Sequence, residues 1–331
     1  LLISQLLSFR VDCVRPKSYE EAAEVVKAAN KVVVVGNGRH LIGEPEGECV
    51  SLAGLNEVLQ VSQEDLFVTV QAGVEVKALQ SRLEREGLFL PVHYDGTVGG
   101  LLGLNRPSPY SFWFGLPSDL VLGAKILTGL GEVVRSGANT PKFSSGYKLY
   151  KALAGSLGLF GAYLEVNLRV YPLPEEVVSG RVANPEKALE SPLRPYGGVV
   201  INDGEVRAYV TVGGWKEKVD RAVTELGMEE TFNGVPEVPE CGREALVQVP
   251  RGLEVEHLKF LGRGYAFLSS GSVFLCDPDV EGLRKRGLRA IVVKGCRKGE
   301  DCFGFKSAAL KALSQALDPR GVFQYIRPTP W

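Results

Sequence analysis

The 331-residue chain is predicted to be an α+β protein of two domains with a C-terminal extension. Three observations support this. The length exceeds what one ordinary core holds. The first half alternates helical and strand patterns around two glycine-rich loops. The strand pattern at residues 163–170 is broken by Tyr171-Pro172-Leu173-Pro174, after which short strands and two helical stretches follow. The expected division is residues 1–174, a smaller α+β domain at 175–305, and a helix and tail at 306–331 that return toward the first domain.

Ser18-Tyr19-Glu20-Glu21 reads as a capping box, and Ala22, Ala23, Val25, Val26 and Ala29 recur at helical spacing, so a helix runs to about Asn30. Residues 31–35, Lys followed by four Val, predict a buried strand stopped by Gly36-Asn37-Gly38. A strand at 66–70, a helix at 74–86 with Leu79 and Leu83 one turn apart and Gly87 as its C-cap, and a strand at 88–90 complete a second unit. Residues 91–118 are crowded with Gly, Pro and aromatics, too long a stretch for an ordinary connection, and long ordered loops usually carry function. Strands at 121–127 and 132–135 flank the turn Thr128-Gly129-Leu130-Gly131 as a hairpin. In the second domain, strands are expected at 198–201, 206–212, 245–249, 265–268 and 290–293, with helices at 215–226 and 307–317. No internal repeat is evident.

Composition narrows the function. A net charge of -1 gives no reason to bind nucleic acid or an anionic membrane. No apolar run approaches the roughly 20 residues that span a bilayer. Leu1 to Leu7 lack the basic start and cleavage site of a signal peptide, so a cytoplasmic location is expected. The six cysteines form no Cys-x-x-Cys pair, and no metal centre is implied. Cys296 and Cys302 are close enough to close a small disulfide loop, but two separate thiols in a reducing compartment are the favoured reading. One Met and abundant Val, Glu, Arg and Lys resemble the composition of a chain from a hot habitat.

The first loop, Gly36-Asn37-Gly38-Arg39-His40 with Gly43, is not a Rossmann fingerprint, because its third glycine position, 41, is Leu and Pro45 follows. Its glycines still allow consecutive backbone amides to form a nest for phosphate oxygens, to which Arg39 or His40 adds a donor. The second loop, Thr97-Val98-Gly99-Gly100, offers a hydroxyl and several unshielded amides beside the apolar residues 101–104. A flat isoalloxazine ring with an attached pyrophosphate needs that mixture.

Gly36, Gly38 and Gly43, Leu52 with Leu55-Asn56, Ala72-Gly73-Val74, Thr97-Val98-Gly99-Gly100, Asp119 to Gly123, Lys142 with Gly146-Tyr147 and Leu149, and Gly155-Ser156 with Gly158 and Gly161 stand in one order and spacing. In these, residues 10–174 resemble the FAD-binding domain of the vanillyl-alcohol oxidase and p-cresol methylhydroxylase (PCMH-type) family. The run 126–129 and the ending 317–323 look most like the smaller FAD subunit of glycolate oxidase. The resemblance implies a two-subdomain FAD-binding domain, a ferredoxin-like cap domain and non-covalent FAD. The implied activity is oxidoreduction of a small 2-hydroxy acid within a glycolate oxidase-like or D-lactate dehydrogenase-like complex. A larger FAD subunit and an iron–sulfur subunit are the implied partners, through which the chain would lie peripheral to the inner face of the membrane. Gly36 to Gly43 and Thr97 to Gly100 would hold the pyrophosphate. Asp119, Lys142, Gly146, Tyr147, Gly158 and Gly161 would lie along the rest of the cofactor. Ser118, Phe143, Lys148 and Leu157 depart from the family pattern.

His40 has three readings: a phosphate contact, a covalent flavin link of the kind some relatives carry, or an exposed loop residue. His93 and Tyr94 are the candidates for an acid or base at the flavin's redox edge. Trp113 either stacks on a flavin or partner or packs the core. The second domain contains one histidine, His257, and no carboxylate–histidine cluster to take a hydroxyl proton. Two further readings are a self-sufficient flavin dehydrogenase and a structural subunit with a degenerate flavin fold.

Overall fold

A computed structural model describes residues 13–43, 46–137 and 148–331. The first domain opens with α1 (Tyr19–Ala28), whose Ser18 cap accepts from the Glu21 amide and whose Ala22, Ala23 and Val26 are buried. β1 (Val32–Val35) pairs in parallel with β2 (Glu48–Ser51), and the loop between them carries the first glycines. β3 (Val58–Ser62), β4 (Phe67–Gln71), α2 (Val76–Arg85) and a short β5 (Leu88–Phe89) follow. Next come α3 (Val98–Leu104), α4 (Ser111–Phe114), β6 (Val121–Leu127), β7 (Val133–Gly137), α5 (Leu149–Leu153), β8 (Ala162–Arg169) and β9 (Tyr171–Pro172). A five-stranded antiparallel sheet in the order β3-β4-β8-β6-β7 forms the floor, and β5 pairs with β9.

Two expectations change here. The second glycine run is a helix rather than a loop. Three glycines in α3 make it a poor helix former, but Thr97 caps it, accepting from the Gly100 amide at 3.3 Å, and Val98, Leu101 and Leu102 bury its inner face. The cysteines are also paired, Cys13 with Cys49, Cys241 with Cys276 and Cys296 with Cys302, which corrects the reading of Cys296 and Cys302 as separate thiols.

The second domain runs β10 (Glu176–Arg181), α6 (Pro185–Leu189), β11 (Gly197–Asn202), β12 (Val206–Gly214), α7 (Lys216–Glu225) and β13 (Glu229–Asn233). It continues with β14 (Glu244–Gln248), α8 (Glu254–Leu261), β15 (Gly264–Phe267), β16 (Ser272–Cys276), α9 (Val280–Lys285) and β17 (Ala290–Lys294). All eight strands form one antiparallel sheet, β13-β10-β12-β11-β15-β16-β14-β17. Each half is a β-α-β-β-α-β unit with its strands in the spatial order fourth, first, third, second, the ferredoxin-like arrangement. The two halves meet along β11 and β15. The domain is thus a structural duplication, where the sequence shows no repeat. One face packs on its own helices through residues such as Val210, Val219 and Ala222, and the other presents Val199, Ile201, Tyr265, Phe267 and Phe274.

After α10 (Ala308–Leu317), the tail packs Val322 and Phe323 against α1 and β1. The Asp318 carboxylate accepts from the amides of Val322 and Phe323, each at 2.9 Å, and the Val32 amide donates to the Val322 carbonyl at 2.8 Å.

Candidate active site

At the end of β1 the chain enters a cleft open to solvent. Gly36, Asn37, Gly38, Arg39 and His40 line one side, Thr97, Gly99 and Gly100 another, and Gly158 and Gly161 a third. Ile42, Leu52, Ala72 and Leu104 supply apolar wall, with Tyr94, Tyr163 and Tyr325 around them.

The two glycine runs interlock. A Cβ on Gly36 would lie 2.1 Å from the Thr97 hydroxyl oxygen, and one on Gly100 would lie 2.8 Å from the Tyr94 hydroxyl oxygen. Close approach requires glycine at 36, whereas at 100 the Tyr94 side-chain tip could shift. The Ser51 hydroxyl donates to the Gly36 carbonyl at 2.9 Å, fixing the loop where it leaves the strand. Beyond it, Gly38 is left-handed at φ 75°. Among the described residues, the amides of residues 37–40 donate to no protein acceptor, as a nest for phosphate oxygens requires. The second run differs from expectation. Its amides are already engaged, Val98 to the Val74 carbonyl at 2.9 Å, Gly99 to Ala72 at 2.8 Å and Gly100 to Thr97. Its contribution to the cleft is therefore shape rather than free donors.

The other predicted site residues divide. Val98 is buried behind the cleft wall, and Gly43 lies beyond its lining, packed on the backbone of Cys296. Asp119 is also outside the lining, accepting from the Leu116 amide at 3.0 Å and pairing with Lys151 at 3.2 Å. Lys142, Gly146 and Tyr147 lie outside the described residues. His93 is exposed and apart from the lining. Trp113 is exposed, with the Arg194 guanidinium 5.4 Å from its ring.

Asp95 organises the rim. Its carboxylate pairs with Arg39 and, at 3.5 Å, with Lys77, and its carbonyl lies 2.9 Å from Nε2 of His40. Desolvation raises the Asp95 pKa, but the hydrogen bond from Arg39 and the two cations outweigh it and hold the carboxyl below its ordinary range. A carbonyl only accepts, so Nε2 of His40 carries the hydrogen and Nδ1 of the neutral ring stays available. Desolvation, reinforced by Arg106 and Lys294, lowers the His40 pKa from the ordinary 6.5 despite the bond to Asp95. His40 is thus neutral at pH 7. A depressed histidine favours the folded state above about pH 6.5, and that contribution is lost as pH falls toward the folded value. An NMR titration of the unliganded protein should place His40 below 6.5; a midpoint at or above 6.5 would contradict the desolvated setting. Tyr94 lies against His40 with ring centroids 5.0 Å apart, and burial raises its pKa far above neutrality. The phenol can donate a hydrogen bond but cannot act as a base at pH 7.

Behind Tyr94 and His40 lies a cluster not anticipated from sequence. Arg106, from the long loop after α3, pairs with Glu244 on β14, and the Tyr265 hydroxyl donates to the same carboxylate. The guanidinium sits 4.3 Å from the Phe274 ring centroid, joining the first domain to the sheet face that carries Tyr265 and Phe274.

Comparison with known proteins agrees with this geometry. Residues 13–137 match the family described as FAD binding domain. D-lactate dehydrogenase of Anaerostipes hadrus is 33% identical over 177 residues, 50% of this chain and 37% of that protein. Glycolate oxidase subunit GlcE of Escherichia coli (strain K12) is 28% identical over 169 residues, 49% of this chain and 48% of that protein. The matched stretch is less than half of either relative. Among solved structures, alkyldihydroxyacetonephosphate synthase superposes with a TM-score of 0.63 at 17% identity, over 95% of this chain and 76% of that one, a likeness of fold. The free amides, the glycine-lined cleft and the apolar walls fit the group that this family holds. Residues 13–137 therefore match an FAD binding domain, in agreement with the resemblance of the glycine runs, and FAD is the cofactor of this chain.

Proposed function

We propose that the chain is an FAD-bearing oxidoreductase subunit of a glycolate oxidase-like or D-lactate dehydrogenase-like complex, handling electrons from a small 2-hydroxy acid. The observation that supports it most is the cleft in which the free amides of residues 37–40 face glycines from two other segments. FAD, when bound, supplies a two-electron acceptor. The chain's own contribution is to bind and orient. Residues 37–40 donate to the pyrophosphate, Arg39 is aimed by Asp95, and Tyr94 donates a hydrogen bond from a permanently protonated phenol. Among the described residues lining the cleft, His40 is the histidine, its pKa lowered by desolvation, with Nδ1 as its accepting atom. Neither His93 nor Tyr94 is placed to take a hydroxyl proton as a base, which supports the relay reading over that of a self-sufficient dehydrogenase. A larger FAD subunit and an iron–sulfur subunit are the partners proposed for this role. No described helix is long and apolar enough to cross a membrane.

The first test is an absorbance spectrum of purified protein before and after acid precipitation, with flavin bands expected at roughly 370 and 450 nm. Yellow colour in the supernatant is the expected result, and colour left in the pellet would mean a covalent link, with His40 as its site. Protein that stays colourless after incubation with FAD would end the proposal. Turnover of glycolate or D-lactate by the isolated chain with an artificial acceptor would replace the relay reading with that of a complete dehydrogenase.

A further inference from the structure

The cleft loop is held at its far end by the second domain. Just after β17, Gly295 turns the chain at φ 71°, and the Cys296 amide donates to the Ile42 carbonyl at 2.7 Å. Gly43 and Cys296 pair as an isolated parallel bridge. A Cβ on Gly43 would come within 2.5 Å of the Cys296 carbonyl oxygen, so the two backbones touch only because residue 43 is glycine. Ile42 is itself part of the cleft wall. Cys296 is bonded through sulfur to Cys302, whose carbonyl accepts from the Val292 amide of β17 at 2.7 Å. Both cysteines are buried. The small ring they close is fastened to the sheet by Arg243, which donates to the Gly295 carbonyl at 3.2 Å and pairs with Glu300, and by Arg284, which donates to the Asp301 carbonyl at 2.8 Å.

We infer that the Cys296–Cys302 disulfide is a redox-sensitive latch that positions the glycine loop, residues 36–43, for the FAD pyrophosphate. The inference rests on the flavin reading above and adds a control over it. A nest of unpaired amides binds an anion tightly only if its geometry is set beforehand. Gly36 is set by Thr97 and Ser51, and Gly43 by Cys296. With the disulfide closed, β17 holds the loop by two routes, the backbone at 294–296 and the sulfur bridge to Cys302, whose carbonyl is hydrogen-bonded to the Val292 amide. A dithiol reductant opens the second route: two electrons and two protons pass to the sulfurs of Cys296 and Cys302, and the reductant leaves as its own disulfide. Cys296 is then tied through the backbone alone, and the loop loosens without any change in its own sequence.

The test uses the full chain, with amide exchange at residue 296 and tryptic cleavage after Arg39 in flavin-free protein, and FAD affinity by fluorescence titration. In Cys296→Ser/Cys302→Ser, exchange at 296 and cutting after Arg39 should quicken, and the FAD dissociation constant should rise on the order of tenfold, a part of what closing so short a loop constrains. A dithiol should shift wild type the same way and leave the double variant unchanged. Gly43→Ala, which pushes the strap away with the disulfide intact, should reproduce the loosening, so the inference stays testable should the serine variant fail to fold. Cys241→Ser/Cys276→Ser, which removes a bridge that does not touch the loop, should leave all three readings alone. Unchanged exchange, cleavage and FAD affinity in a folded Cys296→Ser/Cys302→Ser protein would overturn the latch, as would equal loosening in the Cys241→Ser/Cys276→Ser control. Absence of FAD binding in oxidised wild type would instead sink the flavin reading, while exchange and cleavage still decide the latch.

Discussion

Replacing Glu244 by Gln is expected to destabilise the protein by about 3 kcal/mol and to lower its melting temperature on the order of 4 °C. The carboxylate is buried and has two partners, the Arg106 guanidinium and the Tyr265 hydroxyl. The glutamine keeps the shape and still accepts from Tyr265, so the loss isolates the charge. Arg106, mostly enclosed and lying over Phe274, is left without a counter-ion. The estimate sits at the low end for a broken buried pair because the Arg106 side chain keeps 23% of its exposure. Arg106→Met should cost a similar amount. Arg106→Met/Glu244→Gln should cost much less than the sum of the two, since no unpaired charge remains. Differential scanning calorimetry of the four proteins settles this. Additive single effects would mean that the two side chains stabilise the junction independently.

Gly36→Ala should weaken FAD binding by roughly 100-fold with the fold retained. The new methyl would meet the Thr97 side chain at 2.1 Å from its oxygen and 2.9 Å from Cγ2. Thr97 cannot move freely, because its hydroxyl caps α3 and the residue is buried. Either the cap breaks, at about 1 kcal/mol, or the first loop backs away from the second run, and overpacking adds about 1–3 kcal/mol. Both routes open the cleft. Gly103→Ala is the control: residue 103 also lines the cleft, yet a Cβ there meets nothing within 4 Å. A fluorescence titration in which both alanine variants bind FAD like wild type would show that the close approach of the runs is not needed.

Periodicity and turn chemistry made most regular elements of the first domain legible. α1, α2, β4, β6 and β8 fall within a residue or two of where hydrophobic spacing put them. α3 was hidden because Gly99, Gly100 and Gly103 argue against a helix locally, and a threonine cap with three buried apolar residues overrides them. The disulfides joining Cys13 to Cys49 and Cys241 to Cys276 span 36 and 35 residues, so no local pattern reveals them. The duplication in the second domain left no repeated motif, because a β-α-β-β-α-β unit constrains where apolar residues stand and not which ones they are. The glycine-rich part of the cleft was readable, since glycine at a close approach is a chemical requirement. The Arg106–Glu244 pair was not, with 138 residues between its members. Its only trace was an arginine within a long aromatic loop and a glutamate at the mouth of an apolar strand.

The returning tail changes what the second domain is free to do. Its chain enters at residue 175 and leaves toward α10, and from Leu317 onward the backbone is stitched to the first domain again: the Gly129 amide donates to the Leu317 carbonyl at 2.8 Å, and Arg320 reaches the Ala29 carbonyl at 2.9 Å. A domain joined at one point is held less firmly than one joined at two. The second strap is thus a second attachment of the second domain to the first, beside the Arg106–Glu244 pair.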